Sequence, residues 1–501
     1  MLLRVTMRDW QARVQGATFD DFLFVPQHSV LERRDPAGID LTSRFSEHLV
    51  LKRPVVSANM DTVTRSEMAI AVAEEGGIGI IDRGFRSGEI SPQVREVEIV
   101  KRRQHGVIGD PYTIAPSTTL AEAAQRMRAT TVGTLVVVNS ERQVIGLLTT
   151  RDLRFASESG GTVASRMTPR ERLVVREGLI DHDAAEDVMR THKIKKLPLV
   201  DAGDRLVGLI TAKDLLTQRE HPFATRDAQG RLRVGAAIGA KGDYLERAAE
   251  LLRSGADVIV IDIAHGHSVV MARAIEAFRK QFGDVELVAG NVATAEGVRF
   301  LLERGVNAIK VGIGPGGGCT TRLNTNFGVP QVQALVECRL AANGRVPLIA
   351  DGGIKRDGAF VQALLFGGET VMLGSVLAGT LETPGDVVQK PVLVPDSNRT
   401  VTVPFKVFRG MASLQAIVDR LDVEDAEEAD VEALGAEGME ISVPARGSVR
   451  PLLRDMLKHL CSAISYGGAR TLRELQETFR DNPERYAIRL TDASRRESFE
   501  R

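Results

Sequence analysis

Cysteine is scarce in this chain of 501 residues: only Cys319, Cys338 and Cys461 are present. Three scattered thiols cannot build a disulfide framework and lack the paired spacing of a zinc ribbon, so a reducing compartment is expected. Net charge is missing too. Lys and Arg number 65 against 66 Asp and Glu, which leaves no field to draw the chain onto nucleic acid or an anionic membrane. No apolar run approaches the roughly 18 residues of a membrane span. The opening MLLRVTMRDW lacks the basic and apolar regions of a secretory leader. These absences point to a cytoplasmic protein acting on a small molecule. The length exceeds what one core usually supports, so a barrel of about 250 residues plus a second unit is the expectation.

Short apolar runs recur: RPVVSAN (53 to 59), GIGIID (77 to 82), ADVIVIDIAHG (256 to 266), VELVAGNVAT (285 to 294), AIKVGIG (308 to 314), VPLIADGG (346 to 353) and TVMLGS (370 to 375). Helical patterns such as GDYLERAAELLRSG and TAEGVRFLLERG separate them, which is the rhythm of β-α units on a parallel sheet. The expected fold is α/β, a (β/α)8 TIM barrel with its active site on the strand tails. From about 109 to 222 the rhythm breaks and the chain repeats itself: VIGLLTTRDL starts at 144 and LVGLITAKDL at 206, 62 residues on. The repeat resembles the tandem CBS modules of nucleotide-sensing proteins. That resemblance implies ATP or GTP as regulatory ligands, held at Thr149 with Asp152 and at Thr211 with Asp214. The same residues also fit as ordinary strand-to-helix caps. The expected division is barrel over 1 to 108 and 223 to 501, with the tandem CBS insert over 109 to 222. The acidic stretch DRLDVEDAEEADVEALGAE (419 to 437) reads as part of a solvated flap over about 411 to 440.

The segment VGIGPGGGCTTR, from Val311 to Arg322, carries the sharpest chemistry. Gly312, Gly314, Gly316, Gly317 and Gly318 let the backbone turn tightly and present one thiol on a loop. Cys338 and Cys461 lie in helical patterns and read as core. Cys319 reads as a nucleophile, since N–H donors of the loop and Arg322 favour an ionised thiol. Two strand ends, LIADGGI and VMLGS, offer Gly352, Gly353, Gly374 and Ser375 to a phosphate and Asp351 to a ribose.

TFDDFLFVP (18 to 26), SANMDTVT (57 to 64), the cysteine loop, ADGGI, LGS and FRGM (408 to 411) are together similar to the IMP dehydrogenase and GMP reductase family. They run in the family's order and span nearly the whole chain outside the repeat. The resemblance implies that Cys319 attacks C2 of a purine and that Thr321 aids proton transfer there. It further implies substrate contacts at Ser57, Met60, Asp351, Gly352, Gly353, Gly374, Ser375, Arg409, Gly410 and Met411. A nicotinamide cofactor is implied against Asp262, Ala264, His265, Gly290, Asn291, Gly312 and Gly314, and a K+ ion on the carbonyls of Gly314, Gly316 and Cys319. Homotetramers or octamers are the family's assemblies.

Dehydrogenases of the family activate water with an Arg-Tyr pair on the flap. Here Arg420 is followed by Leu421, and the four tyrosines all lie outside the flap. IDIAHGHS (261 to 268) and AEGMEISVPARG (436 to 447) resemble the reductase versions, which implies that Glu437 works with Thr321 on departing ammonia. The expected activity is therefore that of a GMP reductase in purine salvage, converting GMP to IMP and ammonia with NADPH. Joined to CBS modules, this site resembles a subgroup of actinobacterial proteins described as IMP dehydrogenase-related. IMP dehydrogenase (IMP and NAD to XMP) and a non-catalytic nucleotide sensor stay open as alternatives. Two positions depart from the family pattern: Gly317 stands where most members place Ser, and Phe408 where dehydrogenases generally place Tyr.

Overall fold

Eight strands close into a parallel barrel: β1 (Val55–Ser57), β2 (Ile78–Ile81), β3 (Val234–Ile238), β4 (Val258–Asp262), β5 (Leu287–Val292), β6 (Ala308–Val311), β7 (Leu348–Asp351) and β8 (Thr370–Leu373). The structure is a computed structural model and describes residues 7–103, 107–109, 111–130, 132–154, 161–178, 180, 182–393, 399–421 and 435–500. Each strand is buried on both faces, which is why the strands read as continuous apolar runs rather than alternating ones. Val56, Ile80, Val260, Val288, Ile349 and Met372 are among the side chains that fill the interior. Val55, Ile81, Ile259 and Leu287 turn outward against the helices. The barrel is thus a packed core, and its chemistry is confined to the strand ends.

Seven of the eight strands are among the apolar runs recognisable in the sequence. The eighth, β3, is Val-Gly-Ala-Ala-Ile and lacks the β-branched density that marks the others. A Cβ on Gly235 would stand 2.6 Å from Ile80 Cδ1 and 2.8 Å from Val258 Cγ1, so tight packing against both neighbouring strands demands the weak composition.

Turns from strand ends into helices use side-chain caps. Ser268 Oγ accepts from Met271 N at 3.3 Å to start α1 (Val269–Phe282), and Thr294 Oγ1 accepts from Gly297 N at 3.2 Å to start α2 (Ala295–Leu302). After β8 the chain makes an antiparallel sheet of Val388–Leu393, Thr400–Arg409 and Glu440–Pro444, with Arg409 opposite Glu440. Lys406 pins its central strand by donating to the carbonyls of Thr380 at 3.0 Å and Thr383 at 2.7 Å. Among the described residues no helix is long and apolar enough to cross a membrane.

A second compact unit comprises residues 103–222 and 226–231. Its two four-stranded sheets are ordered Thr168–Pro169, Val144–Thr149, Thr134–Val138, Thr113–Ile114 and Val107–Ile108, Leu206–Thr211, Lys196–Val200, Arg176–Glu177. The strands equivalent by the 62-residue offset therefore occupy equivalent places, except that the two outermost strands are exchanged. Val107–Ile108 precedes the first copy yet completes the second sheet, and Thr168–Pro169 does the converse. Arg170 clasps Asp204 through Nε at 2.8 Å and Nη2 at 2.7 Å, joining the two copies. The fold is a (β/α)8 barrel with an inserted tandem CBS unit.

Candidate active site

The strand ends of the barrel surround a cavity of about 320 Å3, a size that suits a small organic ligand. Its floor is ionic. Lys310 is the only charge in the strand Ala-Ile-Lys-Val and is 3% exposed; its ammonium lies 2.6 Å from Asp351 Oδ2 and 3.2 Å from Asp262 Oδ1. Asn59 Nδ2 donates to Asp262 Oδ2 at 2.6 Å, and Asn291 Nδ2 donates to Asp351 Oδ2 at 2.9 Å and to Gly312 O at 2.7 Å. Burial alone would raise the Asp262 carboxyl, but Lys310 and then Arg83 outweigh it and hold the group below its ordinary range. Burial would likewise depress Lys310, and the two carboxylates outweigh that, keeping the ammonium charged above its ordinary range.

The rim is built by backbone contact between two glycine-bearing segments. Met439 N donates to Gly318 O at 2.9 Å, Thr320 N to Glu437 O at 2.8 Å, and Gly410 N to Met439 O at 3.0 Å. A Cβ on Gly318 would stand 2.9 Å from Gly410 N, and one on Gly438 would stand 2.6 Å from Ser413 N, so these strands approach only because both residues lack a side chain. This stitching brings Glu437 to the cysteine loop, 118 positions after Cys319 in the chain (437 less 319). The Cys319 thiol donates to Thr321 Oγ1 at 3.3 Å, and the Thr321 hydroxyl donates to Glu437 Oε2 at 2.6 Å. All three residues line the cavity. A thiol, a hydroxyl and a carboxylate in series form a path along which a proton can leave sulfur and later reach a leaving group.

Chain-wide similarity agrees with this geometry. A model described as the IMP dehydrogenase / GMP reductase domain matches residues 16–500. The chain belongs to the IMP dehydrogenase / GMP reductase family. It is 42% identical over 486 residues to inosine-5'-monophosphate dehydrogenase of Aquifex aeolicus, covering 97% of this chain and 95% of that protein. It is also 42% identical over 467 residues to the protein of the same name from Nitrosopumilus maritimus, covering 92% and 94%. Among solved structures, GMP reductase of Trypanosoma brucei in complex with guanosine 5'-monophosphate superposes with a TM-score of 0.84 at 38% identity, covering 97% of each chain. The protein is thus an oxidoreductase of this family, with relatives bearing both names.

Most residues singled out in the sequence meet at the cavity. Met60, Asp262, Ala264, Asn291, Gly312, Gly314 and Gly316 lie on its wall with Cys319, Thr321 and Glu437. So do Asp351, Gly352, Gly353, Gly374, Ser375, Gly410 and Met411, together with the two departures from the family pattern, Gly317 and Phe408. Others lie elsewhere. The Arg409 guanidinium is turned onto Asp61 at 2.6 Å and Asp419 at 2.6 Å, so only its backbone neighbours face the ligand space. Ser57 is wholly buried in the barrel with an unpartnered hydroxyl, Gly290 is buried behind Asn291, and His265 is exposed outside the wall. Arg322 donates to the carbonyls of Ile313 and Val329, which places it under the loop as a brace. Of the carbonyls expected to hold K+, that of Gly316 accepts from Cys319 N at 3.1 Å, and Arg322 lies against Gly314. In the inserted unit, Thr149 N and Oγ1 both donate to Asp152 Oδ2 at 2.7 Å, closing a capping box. Thr211 is buried, while the Asp214 side chain lies outside the described set, as do flap residues 422–434.

Sequence reasoning missed Asn59, Lys310, Arg83 and the placement of Arg420 on the wall. Lys310 left a readable mark, a lone charge in an apolar strand. Arg83 and Arg420 left none, because what distinguishes them is a half-buried guanidinium that forms no ion pair with a carboxylate among the described residues.

Proposed function

We propose that the protein is an NADPH-dependent GMP reductase that yields IMP and ammonia. The observation that supports this reading above others is the relay from Cys319 through Thr321 to Glu437, at 3.3 Å and 2.6 Å. The thiol proton passes to the Glu437 carboxylate through the Thr321 hydroxyl, and the thiolate attacks C2 of the purine. The exocyclic amine then takes the stored proton back through Thr321, its bond to C2 breaks, and ammonia departs, leaving the purine bonded to sulfur. A reduced nicotinamide, when bound, supplies hydride to that carbon. The S–C2 bond then breaks, which releases IMP and restores the thiolate.

The site residues fit such a cofactor. Asn291 Oδ1 and Arg83 Nε are buried polar atoms with no hydrogen-bond partner, on residues of the cavity wall, and the charge-holding Asp262 stands beside them. Asp262, Ala264, Asn291 and the glycines at 312 and 314 would hold the dinucleotide. Gly352, Gly353, Gly374 and Ser375 offer backbone N–H groups and a hydroxyl to the substrate phosphate, with Gly352 and Gly353 in left-handed backbone at φ +91° and +80°. The inserted unit, as a CBS pair, would bind regulatory adenine or guanine nucleotides, and the assembly would be a homotetramer or octamer.

A second reading rests on Arg420. Burial first, and the charge of Arg83 second, push this guanidinium down to about 10, and it lies on the cavity wall. An arginine so perturbed is what water activation by an IMP dehydrogenase would require, and curated relatives carry that name. Paired turnover assays separate the two: GMP with NADPH should consume reduced nicotinamide, whereas IMP with NAD should not produce it. The reverse result overturns the reductase reading.

A further inference from the structure

The relay works only while the Glu437 carboxylate stays within hydrogen-bond reach of Thr321, and Glu437 is a half-buried residue two positions after the exposed Gly435. Its direction is set by the peptides on either side. The peptide before it is held at both ends: Glu437 N donates to Ala412 O at 3.0 Å, and Ala436 O accepts from Asn324 Nδ2 at 3.2 Å. The peptide after it is held through its carbonyl, which accepts from Thr320 N at 2.8 Å. Of these three bonds, two run from backbone to backbone and are indifferent to side-chain identity. Only the bond at Ala436 comes from a side chain.

Asn324 lies on the short helix Thr321–Thr325, whose first residue carries the relay hydroxyl. It stands four positions after Thr320, so the two side chains meet on one face of the turn, and its Nδ2 donates to Thr320 Oγ1 at 3.1 Å. A primary amide carries two N–H donors on one nitrogen. One fastens the side chain to the base of its own helix, and the other reaches the peptide that precedes Glu437. The element bearing the hydroxyl and the segment bearing the carboxylate are thereby joined by a bond outside the relay itself. We propose that Asn324 is a positioning residue for the proton relay: it locks the peptide between Ala436 and Glu437 so that the carboxylate stays on Thr321. Asn324 is exposed and lies off the cavity wall, so it acts through Glu437 rather than on the substrate. The inference rests on the reading that Thr321 and Glu437 deliver a proton to departing ammonia.

Steady-state turnover of GMP with NADPH by the full-length protein, arranged as a double-mutant cycle with Glu437→Gln, tests the assignment. Asn324→Ala should lower kcat about three- to tenfold, the weight of one hydrogen bond, with KM for GMP close to that of wild type. Asn324→Gln keeps both donors on a longer arm and should recover part of the loss. On the Glu437→Gln background, Asn324→Ala should change kcat by less than about twofold, since the group it positions no longer carries the proton. A wild-type kcat in Asn324→Ala overturns the proposal and leaves the relay standing. An equal loss on both backgrounds also overturns it, because Asn324 would then act through something other than Glu437. A wild type that does not turn GMP over overturns the relay and the role of Asn324 together. Should Asn324→Ala lower Tm as well, the cycle still decides, because each kcat is compared within its own background.

Discussion

The floor and the rim of the cavity are built on opposite principles. On the floor the charges are held by partners: Lys310 stands between Asp262 and Asp351, Asn59 donates to the second oxygen of Asp262, and Asn291 donates to the Asp351 oxygen that Lys310 also contacts. On the rim the polar groups are left with capacity to spare, a thiol and carboxylate joined through one hydroxyl, and two arginines that form no ion pair with a carboxylate among the described residues. Saturated groups hold geometry and resist proton exchange, whereas unsaturated ones are poised to bind or react. The contrast predicts that floor substitutions are read in stability and rim substitutions in turnover.

The largest expected effect breaks the rim at sulfur. Cys319→Ala should reduce kcat by about a thousandfold or more, while GMP still binds, since only the nucleophile is removed. Loss of GMP binding in that variant would instead make Cys319 a structural residue. Breaking the floor should read differently. Lys310→Met leaves two buried carboxylates facing one another without their cation and should destabilise the barrel by roughly 3 to 5 kcal/mol, seen as a fall in Tm. An unchanged Tm would show that the floor is wetter than its 3% exposure of Lys310 implies.

Glu437→Gln tests the far end of the relay. It keeps the shape and a hydrogen-bond acceptor for Thr321 but cannot store a proton, so kcat should fall on the order of a hundredfold with Tm nearly unchanged. If the fall in kcat disappears with a GMP analogue bearing a leaving group that departs without protonation, the acid role is secured. If it persists, Glu437 acts only through Thr321 position.

How much of this contrast the sequence discloses depends on whether a group is defined locally or by its surroundings. Glycines crowd the Cys319 loop because the backbone must turn there, so that loop is legible from composition alone. The 62-residue repeat is legible for the same reason, since each copy folds from its own local pattern. The exchange of the outermost strands between copies is not, because nothing in Val107–Ile108 names its partner. FRGM suggests that Arg409 faces a ligand; which way its side chain turns depends on Asp61 and Asp419, distant acids that capture it. Strand β3 escapes notice because its glycine answers to neighbours rather than to its own propensity.

A pH series sharpens the comparison with a smaller effect. Asp262, held below 3.8, contributes stability above that value that is lost only as pH falls through its lower folded value. Asp82 is the opposite case, a wholly buried carboxyl pushed up to about 6, first by burial, despite Arg65 at 3.4 Å. Between 3.8 and about 6 the folded protein holds this proton more tightly than the unfolded chain, so Asp82 makes stability decline as pH rises through that window. Asp82→Asn should flatten the decline, measured as unfolding free energy from acid to neutral pH. An unaltered profile would mean that Asp82 ionises as readily folded as unfolded.

The smallest expected effect adds to the rim instead of removing from it. Gly317 is not in left-handed backbone, and a Cβ there would lie 3.5 Å from Ser375 Cβ and 3.6 Å from Ser375 Oγ, ordinary contact distances. Gly317→Ser should therefore fold without strain and bring a second hydroxyl beside Ser375, lowering KM for GMP about three- to tenfold through one added hydrogen bond to phosphate. Phe408→Tyr is the companion change, but Phe408 is only 1% exposed, so a new hydroxyl there must find a hydrogen-bond partner or lower Tm. The two variants together locate the substrate phosphate: an improved KM in both puts it between Gly317 and Phe408, whereas improvement in neither moves it away from Ser375. Gly318, one residue on, offers no such room, since its Cβ would press on Gly410 N at 2.9 Å. Of these two neighbouring glycines one is therefore spare, and the other is required by the contact with the Gly410 segment.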